Sequence, residues 1–139
     1  MKRILILTLL CLTVLSTVCG AYTPNSYWKD NQNYPIVFQK DGINYYLDYS
    51  SCILVQYWNE GLGSCDCQVN FNVVGVDPTE KYKPTTFSRT IRIIKSRDDS
   101  YMLYRWNTID LDWFRFKYND EPYLYNAGSL IAENLIKVE

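Results

Sequence analysis

The chain has 139 residues, with 14 Lys and Arg against 15 Asp and Glu, and it contains no histidine. A mildly acidic chain without a basic run lacks the electrostatic footprint of a protein that binds nucleic acid or an anionic membrane. The lack of histidine removes Ser-His-Asp and Cys-His catalytic machinery and histidine metal sites. We therefore expect no cofactor and no metal.

The first residues have the layout of a secretory signal. Lys2 and Arg3 precede an apolar run from Ile4 to Leu15, and small residues follow that run. A membrane span needs about 20 apolar residues, and this run is shorter. The small residues allow cleavage after Ser16, Gly20 or Ala21. The sequence thus predicts a secreted, extracellular protein without a membrane anchor, in which residues 1–21 are the signal and residues 22–139 form one β-rich domain.

Alternation of apolar and polar residues predicts a series of short strands. The predicted strands are Ile36–Gln39, Ile43–Tyr49, Cys52–Trp58, Cys65–Val76, Phe87–Lys95, Tyr101–Trp106, Trp113–Tyr118 and Tyr123–Tyr125. No connection between them is long enough for a helix, so neighbouring strands should be antiparallel. We expect an all-β fold, either an up-and-down barrel or a sandwich of about eight strands.

The C-terminal residues predict one short helix. Ser129 can cap it, and Ile131, Leu135 and Val138 then fall at positions i, i+4 and i+7. The same residues could instead form a last strand, but we expect the helix.

Secretion changes how the cysteines are interpreted, because thiols pair in an oxidising compartment. Cys52, Cys65 and Cys67 survive every predicted cleavage, and they are odd in number. A bond between Cys65 and Cys67 would strain a strand, so we expect Cys52 to pair with one of them. The remaining cysteine could pair with Cys19 if cleavage follows Ser16, link two chains into a homodimer, or stay buried and reduced. A Cys-x-Cys pair alone falls short of a zinc site.

The acidic residues do not form a recognisable catalytic pair. Asp110 and Asp112 could share a face, as an acid-pair hydrolase would require. However, the acids of this chain cluster in predicted turns, where backbone geometry favours Asp. We therefore expect no catalytic residues and no enzymatic activity.

The unusual property of the chain is its aromatic content of 16%, with 13 tyrosines. Tyr and Trp combine an apolar body with a polar tip, so they suit a ligand cavity or a protein-contact surface. A barrel of about eight strands can either pack full or hold one small ligand. Our first hypothesis is a binding protein whose pocket is bounded by Phe71, Ile91, Phe114 and Phe116. The second is a module that contacts another extracellular protein through an exposed Tyr/Trp face, with dimerisation through the odd cysteine.

Two stretches resemble a known family. Gly42-Ile43-Asn44-Tyr45-Tyr46 resembles the opening G-x-W strand of the small secreted lipocalins and related calycins, with Asn44 in place of the tryptophan. The segment from Asn59 to Cys65, followed by the alternating residues 68–73, is also similar. The resemblance implies that a small hydrophobic molecule binds inside a barrel. The lining residues that it implies are Tyr45, Phe71, Phe114 and Phe116.

Overall fold

The computed structural model describes residues 26–60 and 63–138, and for residues 56–60 it describes the backbone alone. The predicted signal segment and Cys19 lie outside the described residues. A short 3-10 turn at Trp28–Asp30 precedes the sheet, and one helix, α1 (Pro122–Asn134), follows it. The strands are β1 (Ile36–Lys40), β2 (Ile43–Glu60), β3 (Ser64–Val76), β4 (Thr85–Ser96), β5 (Tyr101–Asn107) and β6 (Asp112–Arg115).

The six strands form one open antiparallel sheet in which each strand pairs with its neighbours in the chain. The prediction of a mostly β, antiparallel protein with a C-terminal helix is confirmed. The predicted count of about eight strands is not confirmed, and neither is closure into a barrel or sandwich. In the described part of the chain, α1 covers one face of the sheet, which is the role that a second sheet would have had.

Strand β2 replaces two predicted strands. The segment Asp48, Ser50 and Ser51 was expected to be a turn, but it is an irregularity within one long strand, where the register moves from Asp48↔Asn72 to Ile53↔Asn70. The Asp48 carboxylate accepts hydrogen bonds from the Ser50 backbone N–H (3.0 Å) and hydroxyl (2.5 Å). Ser51 Oγ in turn accepts the Asn72 backbone N–H (2.7 Å). Because these side chains satisfy the backbone locally, the chain bulges without reversing.

Helix α1 begins earlier than the sequence pattern predicted. Its first residue is Pro122, and the segment Tyr123–Tyr125, predicted as a strand, lies in its first turn. Proline is well suited to this position because its missing N–H is one that the first turn of a helix leaves unpaired anyway. The helix buries Leu124, Ala127, Gly128, Ile131 and Ala132, whose spacing forms a single helical face.

The core lies between α1 and the odd-numbered residues of the central strands. Leu47, Phe71, Ile91, Ile93 and Leu103 are each at most 2% exposed, and α1 packs over them. Gly128 allows this close approach, since a Cβ at that position would lie 2.8 Å from Leu103 Cδ1.

The other face of the sheet carries polar pairs between neighbouring strands. Arg92 forms an ion pair with Asp66, and Thr90 Oγ1 donates to Asn70 Oδ1 (2.7 Å). Most even-numbered residues of β3 and β4 are polar, as the alternation predicted, with Val74, Val76 and Ile94 as exceptions.

Candidate functional site

The residues predicted to bound a pocket are divided between the core and the surface. Phe71, Ile91 and Phe116 are at most 3% exposed and belong to the core beneath α1. Phe114 is 59% exposed on β6. Tyr45 is half-buried and lines a cleft on the helix side of the sheet. The structure therefore brings together Phe71, Ile91 and Phe116 as packing residues. Of the five predicted residues, Tyr45 alone lines the cleft.

The cleft lies between the first turn of α1 and the strand ends near the β1–β2 turn. Its volume is about 620 Å³, which is within the range of pockets that hold small molecules. Most of the wall is apolar or aromatic, with a few charged groups. The lining residues are Phe38, Lys40, Tyr45, Val73, Phe87, Arg89, Asp120, Glu121, Pro122 and Tyr123.

A row of aromatic rings forms one side of this cleft. The ring centroids of Phe38 and Tyr45 are 6.3 Å apart, and those of Tyr45 and Tyr123 are 6.2 Å apart. Both separations are within the range of favourable aromatic pairs. The row connects β1, β2 and α1, so the wall is fixed by three different elements of the fold.

Arg89 is the most informative polar group in the cleft. It is half-buried, and its guanidinium carbon lies 5.6 Å from the Phe87 ring centroid and 5.8 Å from that of Tyr123. Arg89 Nε donates to the Tyr123 hydroxyl (3.1 Å), and Nη1 donates to the Ser88 carbonyl (2.8 Å). These contacts hold the guanidinium in one orientation and leave the Nη2 amino group and the second hydrogen of Nη1 for another acceptor.

The carboxylates of the cleft have other partners. Glu121 forms an ion pair with Arg105, and Asp120 Oδ2 accepts the backbone N–H of Lys117 (2.8 Å). None of the ion pairs within residues 26–60 and 63–138 includes Arg89. A guanidinium that is partly removed from water, held by aromatic rings and not matched by a carboxylate is suited to binding an anion.

The sequence pattern did not predict most of the residues that line the cleft. Phe87, Arg89 and Ile91 are on the same face of one strand, so Arg89 interrupts an apolar row, and this interruption was the available signal. Tyr123 was placed on a strand instead of a helix, which hid its position opposite Tyr45.

The three cysteines in the described part of the chain are unpaired. Cys52, Cys65 and Cys67 are free thiols, and the expected bond from Cys52 to Cys65 or Cys67 is not present. The reason is the continuous β2, in which Tyr57 and Asn59 are the partners of Cys67 and Cys65. Cys52 instead lies in the bulge between Asp48 and Ile53, which comes earlier in the same strand.

Burial controls the acidity of two of these thiols. It raises the pKa of Cys52 to about 11, with a smaller contribution from the nearby Asp48 carboxylate. Burial also raises the pKa of Cys67 to about 12, and the neighbouring Cys65 and Asp66 add to this. Both side chains are therefore thiols, not nucleophilic thiolates, near neutral pH.

Of the two acids that an acid-pair hydrolase would use, Asp110 lies in the turn between β5 and β6, and Asp112 is the first residue of β6. Asp110 Oδ2 accepts a hydrogen bond from Asn107 Nδ2 (2.6 Å), and Asp112 Oδ1 accepts the Trp113 backbone N–H (2.7 Å). Both are exposed, and both have a structural role in the turn. Within the described ranges, no three Cys, Asp or Glu side chains are grouped so as to hold a metal ion.

Comparisons with known proteins identified no relative: no family model, no curated protein and no solved structure matches this chain. The resemblance to lipocalins therefore stays a prediction. No helix in the described part of the chain is long and apolar enough to cross a membrane.

Proposed function

We propose that this is a secreted, non-enzymatic binding protein that takes a small hydrophobic molecule bearing a carboxylate in the cleft beside Arg89. The observation that carries the proposal is a guanidinium held between the rings of Phe87 and Tyr123 in a mainly apolar cleft. The site does not require the sheet to close into a barrel, because the first turn of α1 supplies the wall that a barrel strand would have supplied.

The two parts of such a ligand would have different partners. Its apolar part would lie against the aromatic row of Phe38, Tyr45 and Tyr123, where it is removed from water. Its carboxylate would accept hydrogen bonds from the unused donors of Arg89, and Lys40 would contribute positive charge at the rim of the cleft. This division accounts for the presence of both rings and cations in one small space.

Three probes with the same chain test the proposal: decanoate, decan-1-ol and decylammonium. Each is titrated into ¹⁵N-labelled protein, and binding is measured from the amide shifts of Tyr45, Phe87 and Tyr123. We expect decanoate to bind most tightly, decanol more weakly and decylammonium most weakly. A lost hydrogen bond to a charged group costs about 1.5–3 kcal/mol, so Arg89→Gln should weaken decanoate binding by about 10-fold to 100-fold.

Arg115→Gln is the matched control, because Arg115 is an exposed arginine on β6 that does not line the cleft. It should leave decanoate binding unchanged. Equal binding of decanoate and decanol would remove the carboxylate from the proposal but keep the hydrophobic site. Failure of all three probes to shift the cleft amides would refute the proposed function.

A second candidate is a protein-contact module, and one observation favours it. The hairpin of β5 and β6 exposes large apolar side chains at and beside its tip, namely Trp106, Ile109, Leu111 and Phe114. Ile109 is 88% exposed, and Leu111 has a φ of 52°, which is unfavourable for a leucine. Exposed apolar groups on a strained turn are typical of contact sites.

Photo-crosslinking tests this second function. A photoreactive residue at Ile109 should yield one adduct of defined mass in the medium of secreting cells, whereas the same residue at the exposed Thr86 on β4 should yield none. Absence of an adduct at Ile109 would count against the contact module.

A further inference from the structure

The second half of β2 is an uncovered edge of the sheet. The β1–β2 ladder ends at Ile36↔Tyr46. Two more backbone hydrogen bonds lie beyond it, from Leu47 N to Pro35 O and from Tyr49 N to Asn33 O (both 2.9 Å). On the opposite side, β3 pairs with β2 as far as Glu60. Among residues 26–60 and 63–138, no strand pairs with this side of β2 past Tyr49. The backbone groups along that edge are therefore available to another strand.

The sequence of this edge lacks the charged residues and prolines that often prevent strand pairing. The segment Ser50–Trp58 contains no charged residue, proline or glycine. Ile53, Leu54 and Val55 are 63%, 50% and 51% exposed. Natural proteins protect sheet edges with lysine, proline, bulges or covering elements. The ladder of β2 with β3 is irregular between Asp48 and Ile53 and between Leu54 and Gln56, but the edge is uncharged and rich in β-branched and apolar residues, which favours pairing with another chain.

An apolar pocket adjoins the same edge. It has a volume of about 360 Å³ and lies between β2, β3 and the C-terminal end of α1. Leu54 and Leu135 are exposed at this pocket, and Val69 and Ile131 are buried in its wall. A strand added to β2 could place an apolar side chain in or over this pocket, so the backbone edge and the side-chain surface form one continuous contact region.

We propose that this edge pairs with the same edge of a second copy of the chain, in the antiparallel direction, to form a two-fold symmetric dimer with one continuous sheet. A two-fold interface requires a surface that is complementary to itself. The segment Ser50–Trp58 meets this requirement, because an uncharged strand facing its own copy has no like-charge repulsion, and a two-fold axis between strand edges produces antiparallel pairing. The pocket at Leu54 then occurs twice, once on each protomer.

The test is the molar mass of the purified secreted protein, measured by light scattering after size-exclusion chromatography over a concentration series. We expect a dimer that persists in reductant. Val55→Lys should weaken dimerisation at least about tenfold, since the two-fold axis brings the new charges close together. Hydrogen exchange at the amides of residues 50–55 should slow as the protein concentration rises.

Ile109→Lys is the matched control, because it makes the same kind of exposed apolar-to-lysine change in the β5–β6 turn. It should leave the dimer intact. A monomer at every concentration up to about 100 μM would overturn the proposal, because the chain would then not form a stable dimer. An equal effect of Ile109→Lys, or a dimer that reductant dissolves and Val55→Lys does not, would overturn it as well.

Discussion

Lys95 is a buried cation at the end of the helix, and replacing it tests how α1 is held on the sheet. Its ammonium nitrogen donates to the backbone carbonyls of Ala132 (2.9 Å) and Ile136 (3.0 Å). Because α1 ends at Asn134, the carbonyl of Ala132 lies in the last turn, where helical acceptors lack an intrahelical donor. The positive charge also lies at the negative end of the helix dipole. Lys95 therefore acts as a cap supplied by a strand.

The expected cost of Lys95→Met follows from these contacts. The variant keeps the apolar stem and removes the two charged hydrogen bonds, each worth about 1.5–3 kcal/mol. Part of this loss is offset, because the folded state no longer has to remove an ammonium group from water, which costs several kcal/mol. We expect a net fall of about 2–3 kcal/mol in the free energy of unfolding, a large share of the roughly 5–15 kcal/mol of a small domain.

Urea denaturation, followed by tryptophan fluorescence, measures this loss. Asp99→Asn is the control: Asp99 Oδ1 lies 3.2 Å from Lys95 Nζ, but its side chain is 87% exposed. Because the Asp99 carboxylate stays in water, we expect this ion pair to contribute no more than the roughly 0–1 kcal/mol of a surface pair, so this variant should remain close to the wild type. If Lys95→Met costs less than about 0.5 kcal/mol, or no more than Asp99→Asn, the helix cap is not what stabilises this end of α1.

Three further predictions concern packing and ionisation. Gly128→Ala should lower the melting temperature. Overpacking against Leu103 costs about 1–3 kcal/mol, whereas the gain in helix propensity is about 1 kcal/mol. A higher melting temperature would show that Leu103 and its neighbours can move to make room for the methyl group. The free energy of unfolding should fall as the pH rises from 9.0, the ordinary pKa of a thiol, to about 12, the raised pKa of Cys67, because the unfolded chain loses this proton first. Cys67→Ala should make the free energy of unfolding less dependent on pH in this range. An unchanged pH dependence in the variant would contradict the prediction. The Asp98 carboxylate, whose pKa is lowered by hydrogen bonds from Ser100, should titrate in NMR at a higher pH in Ser100→Ala, and an unchanged titration would refute that cause.

The strands could be predicted where alternation was regular and connections were short. Predicted and observed bounds of β3, β4 and β5 differ by at most two residues. Apolar and polar residues alternate through the central part of each strand, and the turns between the strands carry polar residues. The bulge in β2 could not be predicted from the same pattern. A run of Asp and Ser is equally compatible with a turn. The difference depends on whether residues far along the chain bond to these local side chains, as Asn72 does here by donating its backbone N–H to Ser51 Oγ.

The candidate site was less predictable than the fold, since it depends on where the helix begins. Tyr45 was expected to line the inside of a barrel; in the structure it lies in the wall of the cleft, and Phe71 and Phe116 pack in the core. Alternation identifies which residues share a face but not what covers that face. The small residues Ala127 and Gly128 were the available sign that a helix lies close to the sheet, because they allow its backbone to approach.

The length of α1 explains why the molecule has open space at both ends of the helix. A helix of 13 residues is about 20 Å long, whereas a strand of 13 residues, such as β3, is about 43 Å long. One helix therefore cannot cover the whole face of this sheet. The cleft with Arg89 adjoins the first turn of α1 at Pro122, and the apolar pocket with Leu54 adjoins its last turn near Leu135. The proposed ligand site and the proposed dimer contact thus have the same physical origin, which is a sheet longer than the helix that packs on it.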